Sequence, residues 1–189
     1  MKNKYLKAWM EEAVHIPGKI DQHFSGLNEE VLNHKPTPTK WSIGELLDHL
    51  IVTNTLYFGR FEKIIAKKHS NPLAARFKYL SAFFGQSILK SVHPDNTRKI
   101  KTVRKFQPVK KQFTLDKIKE FKDHHSVLMD FALKTDVADH QKTIITSPAS
   151  GLIFYSLEDA FRIILAHEQR HIQQAAQLLP TSKEMPVSS

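Results

Sequence analysis

Two histidines stand four residues apart in His167-Glu168-Gln169-Arg170-His171. In a helix this spacing puts both imidazoles on one face, one turn apart. Ile164 and Ala175 fall on the same face, so the pair turns inward. Two imidazoles side by side in a core would cost stability unless each found a partner, and a shared divalent metal ion would satisfy both. The same letters match H-E-x-x-H, where paired histidines bind zinc and the glutamate activates a bound water. Metalloproteases also need a third ligand, usually downstream. Only 18 residues follow His171, and their one acid, Glu184, lies beyond Pro180. The motif therefore lacks the context of a protease.

A better third ligand lies upstream. His49 falls between Leu46 and Thr53 on the inward face of an earlier helix. If that helix and the last one run antiparallel, His49 stands roughly 10 Å from the start of its helix. His171 and His167 stand roughly 12 and 18 Å from the end of theirs. The three can meet at one level of a bundle. Three protein nitrogens leave a position open for water or substrate, the pattern of a catalytic rather than a closed structural site. Spacing alone also allows His49 to be a hydrogen-bonded core histidine.

Glu168 is a candidate catalytic residue. It could serve as a general base, as a partner behind the ligands, or as a surface acid paired with Arg170 or with a lysine on another helix; the last is the default for helical acids. Of His124 and His125 only one can face the core, where it would reach the metal or a substrate cavity. His15, His23, His34, His69, His93 and His140 fall near loops or helix ends, without partner spacing. Asn54 and Tyr57 follow His49 by one to two turns and either line a pocket or fill the core.

These residues need helices to hold them, and apolar periodicity supplies helices nearly throughout. The first spans about Asn3 to Phe24, with Pro17-Gly18 expected to bend or break it. A short turn at Asn28 to Asn33 and a proline-bearing loop follow. Ser42 and Glu45 make a capping box that opens the second helix, which continues to about Lys68. Pro72 to Leu89 is expected as a short helix, followed by an extended crossing from Pro94 to Lys111. A connection this long lets successive long helices run parallel. The third helix spans about Thr114 to Lys134, with Leu115, Ile118, Phe121, Leu128 and Phe131 inward. A loop leads to the fourth, opened by a second capping box, Ser156 with Asp159, and ending near Pro180. No alternating pattern of a sheet is visible. Residues 1–180 read as one domain and 181–189 as a disordered tail.

Composition narrows the chemistry. The 189 residues contain no cysteine, which excludes disulfides, thiolate metal sites and a protein-borne thiol nucleophile. Any metal is held by nitrogen and oxygen, and any reacting thiol comes with a substrate. No apolar run reaches the roughly 20 residues of a membrane span, and Met1 to Glu12 lacks the apolar stretch of a signal peptide. A cytoplasmic protein without a membrane partner is expected. The net charge of +9 is uneven: residues 63–115 hold thirteen Lys/Arg and one acid, Asp95, leaving fifteen bases and eighteen acids elsewhere. Such a stretch could attract an anionic ligand, nucleic acid or a membrane surface, or be a solvated connection.

Two segments carry a family resemblance. Trp41-Ser42-Ile43-Gly44-Glu45-Leu46-Leu47-Asp48-His49 resembles the second-helix motif of the DinB-like superfamily. His167-Glu168-Gln169-Arg170-His171-Ile172-Gln173-Gln174 resembles its last-helix motif, and Lys101 to Pro108 its basic crossing ending in Phe-x-Pro. The resemblance covers nearly the whole chain. It implies an all-α four-helix bundle in up-down-down-up order, with a long crossover between helices 2 and 3. It further implies a divalent metal, zinc or nickel, bound by His49, His167 and His171, and dimers formed by bundle faces. Several relatives are thiol-dependent, such as bacillithiol transferases and a mycothiol-dependent maleylpyruvate isomerase; others have no known activity.

The leading expectation is thus a metal-dependent enzyme acting on a small molecule: a thiol-dependent S-transferase or a hydrolase, with a low-molecular-weight thiol as cosubstrate in the first case. A non-catalytic metal-binding stress-response module comes second. Nucleic-acid binding through the basic stretch comes last, because no recognised motif or interleaved aromatic platform accompanies it.

Overall fold

The structure is a computed structural model and describes residues 1–96, 98 and 102–180. The tail expected to be disordered, 181–189 with Glu184, lies outside the described residues, as do Lys99 and Lys101 of the basic crossing.

The chain is mostly helical. The first expected helix is two, α1 (Tyr5–Ala13) and α2 (Ile16–Phe24). The break falls at Val14-His15, ahead of the proline, and Pro17 sits in the first turn of α2, where its missing N–H costs no hydrogen bond. A short α3 (Glu29–Asn33) is capped by Asn28. The long α4 (Ile43–Ile65) starts at the full capping box: Glu45 N–H donates to Ser42 Oγ, and Ser42 N–H donates to Glu45 Oε2. After a 3-10 turn (Leu73–Arg76) comes α5 (Lys78–Val92), which begins and ends later than expected. The crossing carries a second 3-10 turn, Arg104–Phe106. It leads to α6 (Asp116–Lys134), and α7 (Leu157–Ala176) is the last helix. Leu115 is exposed rather than inward, because it precedes the first helical turn.

The segment before α7 corrects the expectation of a plain loop and of no sheet. Strands β1 (Ile144–Thr146) and β2 (Phe154–Ser156) pair antiparallel, Ile145 opposite Tyr155. Three-residue strands are too short to show an alternating pattern. Ile145 and Tyr155 are buried, and the Tyr155 hydroxyl meets that of Tyr57 at 2.7 Å. Ser156 ends β2 and caps α7. Its box is half formed, since Asp159 bonds the Ser156 hydroxyl rather than the backbone N–H.

Helices α1 and α2 pack on α6 and α7, and α4 packs on the same two. Aromatic side chains tie the centre: Phe61 of α4 lies 4.8 Å from Phe161 of α7 and 5.7 Å from Phe131 of α6. Such ring pairs contribute about 0.5–1.5 kcal/mol each beyond their burial. Helix α5 stays outside, against α7 and β2. The crossing is fastened to the start of α4. Phe113 exchanges backbone hydrogen bonds with the Asn33 side chain and packs on Gly44, where a Cβ would stand 2.6 Å from its ring.

Candidate metal centre

Helix α4 carries His49 six residues after its first, and α7 carries His167 and His171 on successive turns. The fold brings all three together. His167 Nε2 stands 3.2 Å from His49 Nε2 and 2.9 Å from His171 Nε2, and one ligand atom from each ring lies within 4.8 Å of the others. Two imidazole nitrogens bound to one tetrahedral ion at about 2.0–2.1 Å stand about 3.4 Å apart, close to the two separations from His167. Among the described residues, these three histidines form the group that could hold one.

The protonation states fit. Burial, the largest cause, lowers the affinity of all three rings for a proton. The mutual repulsion of the cluster adds to this at His167 and His171, and His171 is pushed down to about 3. All three are therefore neutral near pH 7. His49 Nδ1 lies 2.6 Å from the Phe106 carbonyl oxygen, which can only accept. The His49 proton sits on Nδ1, and its Nε2 lone pair faces the cluster. Neutral imidazoles converging by one nitrogen each cannot all be satisfied by one another. A cation that accepts a lone pair from every ring resolves the conflict. A ring-to-carbonyl bond of this kind is the contact that orients histidines at metal sites in general.

Position follows from neighbours on both sides of His49. Asp48 takes the Val109 N–H at 2.7 Å and the Lys117 ammonium at 2.9 Å, so two consecutive residues of α4 pin the crossing over the site. Thr53 Oγ1 lies 3.5 Å from His49 Nδ1. The Trp41 ring stands 4.8 Å from that of His49 and 6.5 Å from that of His171, forming an apolar wall. Arg170 donates from its guanidinium to the carbonyls of Ser91 and Arg98, tying the end of α5 to α7 beside His171.

Glu168 is not a surface acid. It is 0% exposed; Oε1 accepts from Asn54 Nδ2 at 2.8 Å, and Oε2 lies 2.9 Å from His125 Nδ1. His125 Nε2 lies 2.9 Å from the Ala13 carbonyl. Both nitrogens of His125 thus face acceptors, and the ring is an imidazolium. Burial opposes that charge, but the Glu168 carboxylate outweighs it and raises the pKa. The His125–Glu168 pair and Asn54 link α1, α4, α6 and α7. The expectation that one of His124 and His125 faces inward holds for His125, which reaches Glu168 rather than the three-histidine cluster. His124 stacks on Phe58 at 4.9 Å. Asn54 and Tyr57 are buried in the core. His140, read as a loop residue, is buried too, between the Tyr5 hydroxyl and the Thr135 carbonyl.

Sequence reasoning missed the Phe106 carbonyl, because backbone atoms leave no residue-type signal, and the pairing of Glu168 with His125, which are 43 residues apart. Their only trace was position: Phe106 opens the Phe-x-Pro of the crossing, and His125 falls on the apolar face of α6.

No helix among the described residues is long and apolar enough to cross a membrane. No curated protein and no solved structure matches the chain. The family model of the DinB superfamily matches residues 14–175, a span that includes all three histidines. A match over most of the chain, with a three-histidine cluster that could hold a metal ion, leads to one assignment: the protein belongs to the DinB superfamily.

Proposed function

We propose that His49, His167 and His171 hold one divalent metal ion, zinc or nickel, and that the loaded protein is an enzyme acting on a small molecule, as a thiol-dependent S-transferase or a hydrolase. One observation carries the reading: three neutral imidazoles, from two helices 118 residues apart in sequence, converge nitrogen to nitrogen. An ion held by these three residues would supply Lewis acidity, which would favour deprotonation of a thiol or water near neutral pH and polarise an electrophile.

The residues divide that work. The Phe106 carbonyl holds the His49 proton on Nδ1 and aims Nε2 at the centre. Trp41 shields one side from water and offers a flat apolar surface to a substrate. A general base must reach the proton it removes. Glu168 is instead committed to Asn54 and His125 and acts as a positioning residue that holds α7 against α4. The chain has no cysteine, so a reacting thiol arrives as cosubstrate.

The fold behind this reading is an up-down-down-up four-helix bundle of one domain over residues 1–180. The packing of α1, α2 and α4 on α6 and α7 supports it. The protein is read as cytoplasmic and homodimeric. A non-catalytic metal-binding module is the second reading, favoured by the deep burial of His49, which is 4% exposed.

Metal analysis of purified protein tests the assignment. The wild type is expected to carry about one ion per chain and His49→Ala far less, because loss of one of three ligands weakens a site strongly. Unchanged metal content in His49→Ala would remove that residue from the centre. A screen of low-molecular-weight thiols against epoxides, halides and activated acyl groups then separates enzyme from module. Turnover by the loaded protein and not by the metal-free form supports the first reading.

A further inference from the structure

We propose that the outer face of α5, with the turn before it, docks on an anionic lipid surface. Helix α5 has two unlike faces. Ser81 and Gly85 are buried, Gly85 against Asp159 of α7, and Phe84 meets Phe154 of β2. The opposite side is open and, over its first turns, apolar, with exposed Gln86, Ser87 and Lys90 following: Tyr79 is 93% exposed, Phe77 and Phe83 are each 63% exposed, and Leu73 and Leu80 are also exposed. Exposed apolar patches with a polar rim mark protein or membrane contacts.

Charge selects the occupant. Residues 63–94 contain six Lys/Arg and no acid, in a chain whose remaining residues outside 63–115 have more acids than bases. Arg76 adjoins Phe77 and is exposed. A two-fold pairing of this face with a second copy would bring Arg76 of both copies to one contact, with no acid in 63–94 to pair with either, and like charges repel. An anionic bilayer presents the opposite sign to the bases and an apolar layer to the aromatic rings, which favour the headgroup level. The expectation of no membrane partner rested on the lack of a spanning segment, and peripheral docking needs none.

Flotation of the full-length protein with vesicles tests this. Vesicles of phosphatidylcholine with one third phosphatidylglycerol are compared with phosphatidylcholine alone, at low and high salt. Binding to the anionic vesicles at least tenfold above that to neutral ones is expected, weakened by salt. It should fall about tenfold in both Phe77→Ser/Phe83→Ser and Arg76→Glu, with the helical circular dichroism signal retained. Equal binding to both vesicle types, no binding, or variants that bind like wild type would overturn the proposal. So would a concentration-dependent dimer that the double serine variant converts to monomer, because the face would then belong to a second copy. Metal content is unaffected by either variant, so this result and that of the metal centre stand apart.

Discussion

Replacing His125 with leucine strikes the linkage that holds α7 in place. The substitution keeps roughly the ring's bulk but leaves Glu168 a carboxylate with 0% exposure and one remaining donor, Asn54. Breaking a buried ion pair by removing one partner costs about 3–5 kcal/mol. Domains of this kind are stable by about 5–15 kcal/mol in total, so His125→Leu should remain folded but weakened. With a urea dependence of about 1–3 kcal/mol per molar, the midpoint should fall by roughly 2 M. Glu168→Gln should cost less, about 1–3 kcal/mol, since His125 can shed its proton when the carboxylate is gone. The double variant His125→Leu/Glu168→Met should lose less than the sum of the two single losses, because an apolar pair leaves no stranded charge. Urea unfolding followed by circular dichroism, with a chelator present, measures all three without the metal. A loss below about 1 kcal/mol for His125→Leu, or strict additivity in the double variant, would refute the buried-pair assignment.

Two other perturbations follow from the same geometry. Gly44→Ala puts a methyl group where the Phe113 ring already lies, at 2.6 Å, so the crossing must shift at a cost of about 1–3 kcal/mol; thermal unfolding should show a lowered Tm, and an unchanged Tm would mean the contact is loose. The pH dependence has a definite sign. His49, His167 and His171 have folded pKa values below the ordinary value near 6.5, so the unfolded chain takes up protons first. Their contribution is present above about pH 6.5 and is lost as pH falls toward about 3, the value His171 reaches. His125 acts the other way, since its raised pKa adds stability at low pH that fades as pH rises through its folded value. Three groups outweigh one, so metal-free protein should weaken between pH 6.5 and 5, and His171→Leu should flatten that limb; an unchanged limb in the variant would contradict the buried neutral ring.

What the residues alone determined is local or periodic. The four-residue spacing of His167 and His171 places two rings on one side of a helix whatever the rest of the chain does, because the helical repeat is a property of the backbone. Ser42 with Glu45 marked the start of α4 for the same reason, since a capping box closes within one turn. His49 was joined to His167 and His171 by matching levels on helices assumed antiparallel and by the family resemblance of its segment, not by any local spacing. Folding brought its Nε2 within 3.2 Å of His167. The hairpin of β1 and β2 escaped because its strands are three residues long and are held by the Tyr57–Tyr155 contact, 98 residues apart.

Tertiary structure also decided the fate of Glu168. Its letter in H-E-x-x-H suggested a base, and helical averages suggested the surface; neither pattern holds the positions of Asn54 and His125, which turn it into a buried anchor. The Phe106 carbonyl behind His49 was equally beyond any reading of side chains. Spacing along the chain reports what lies within a turn or two. Protonation, burial and the second layer of contacts depend on which distant segments pack there, and only the folded chain sets that.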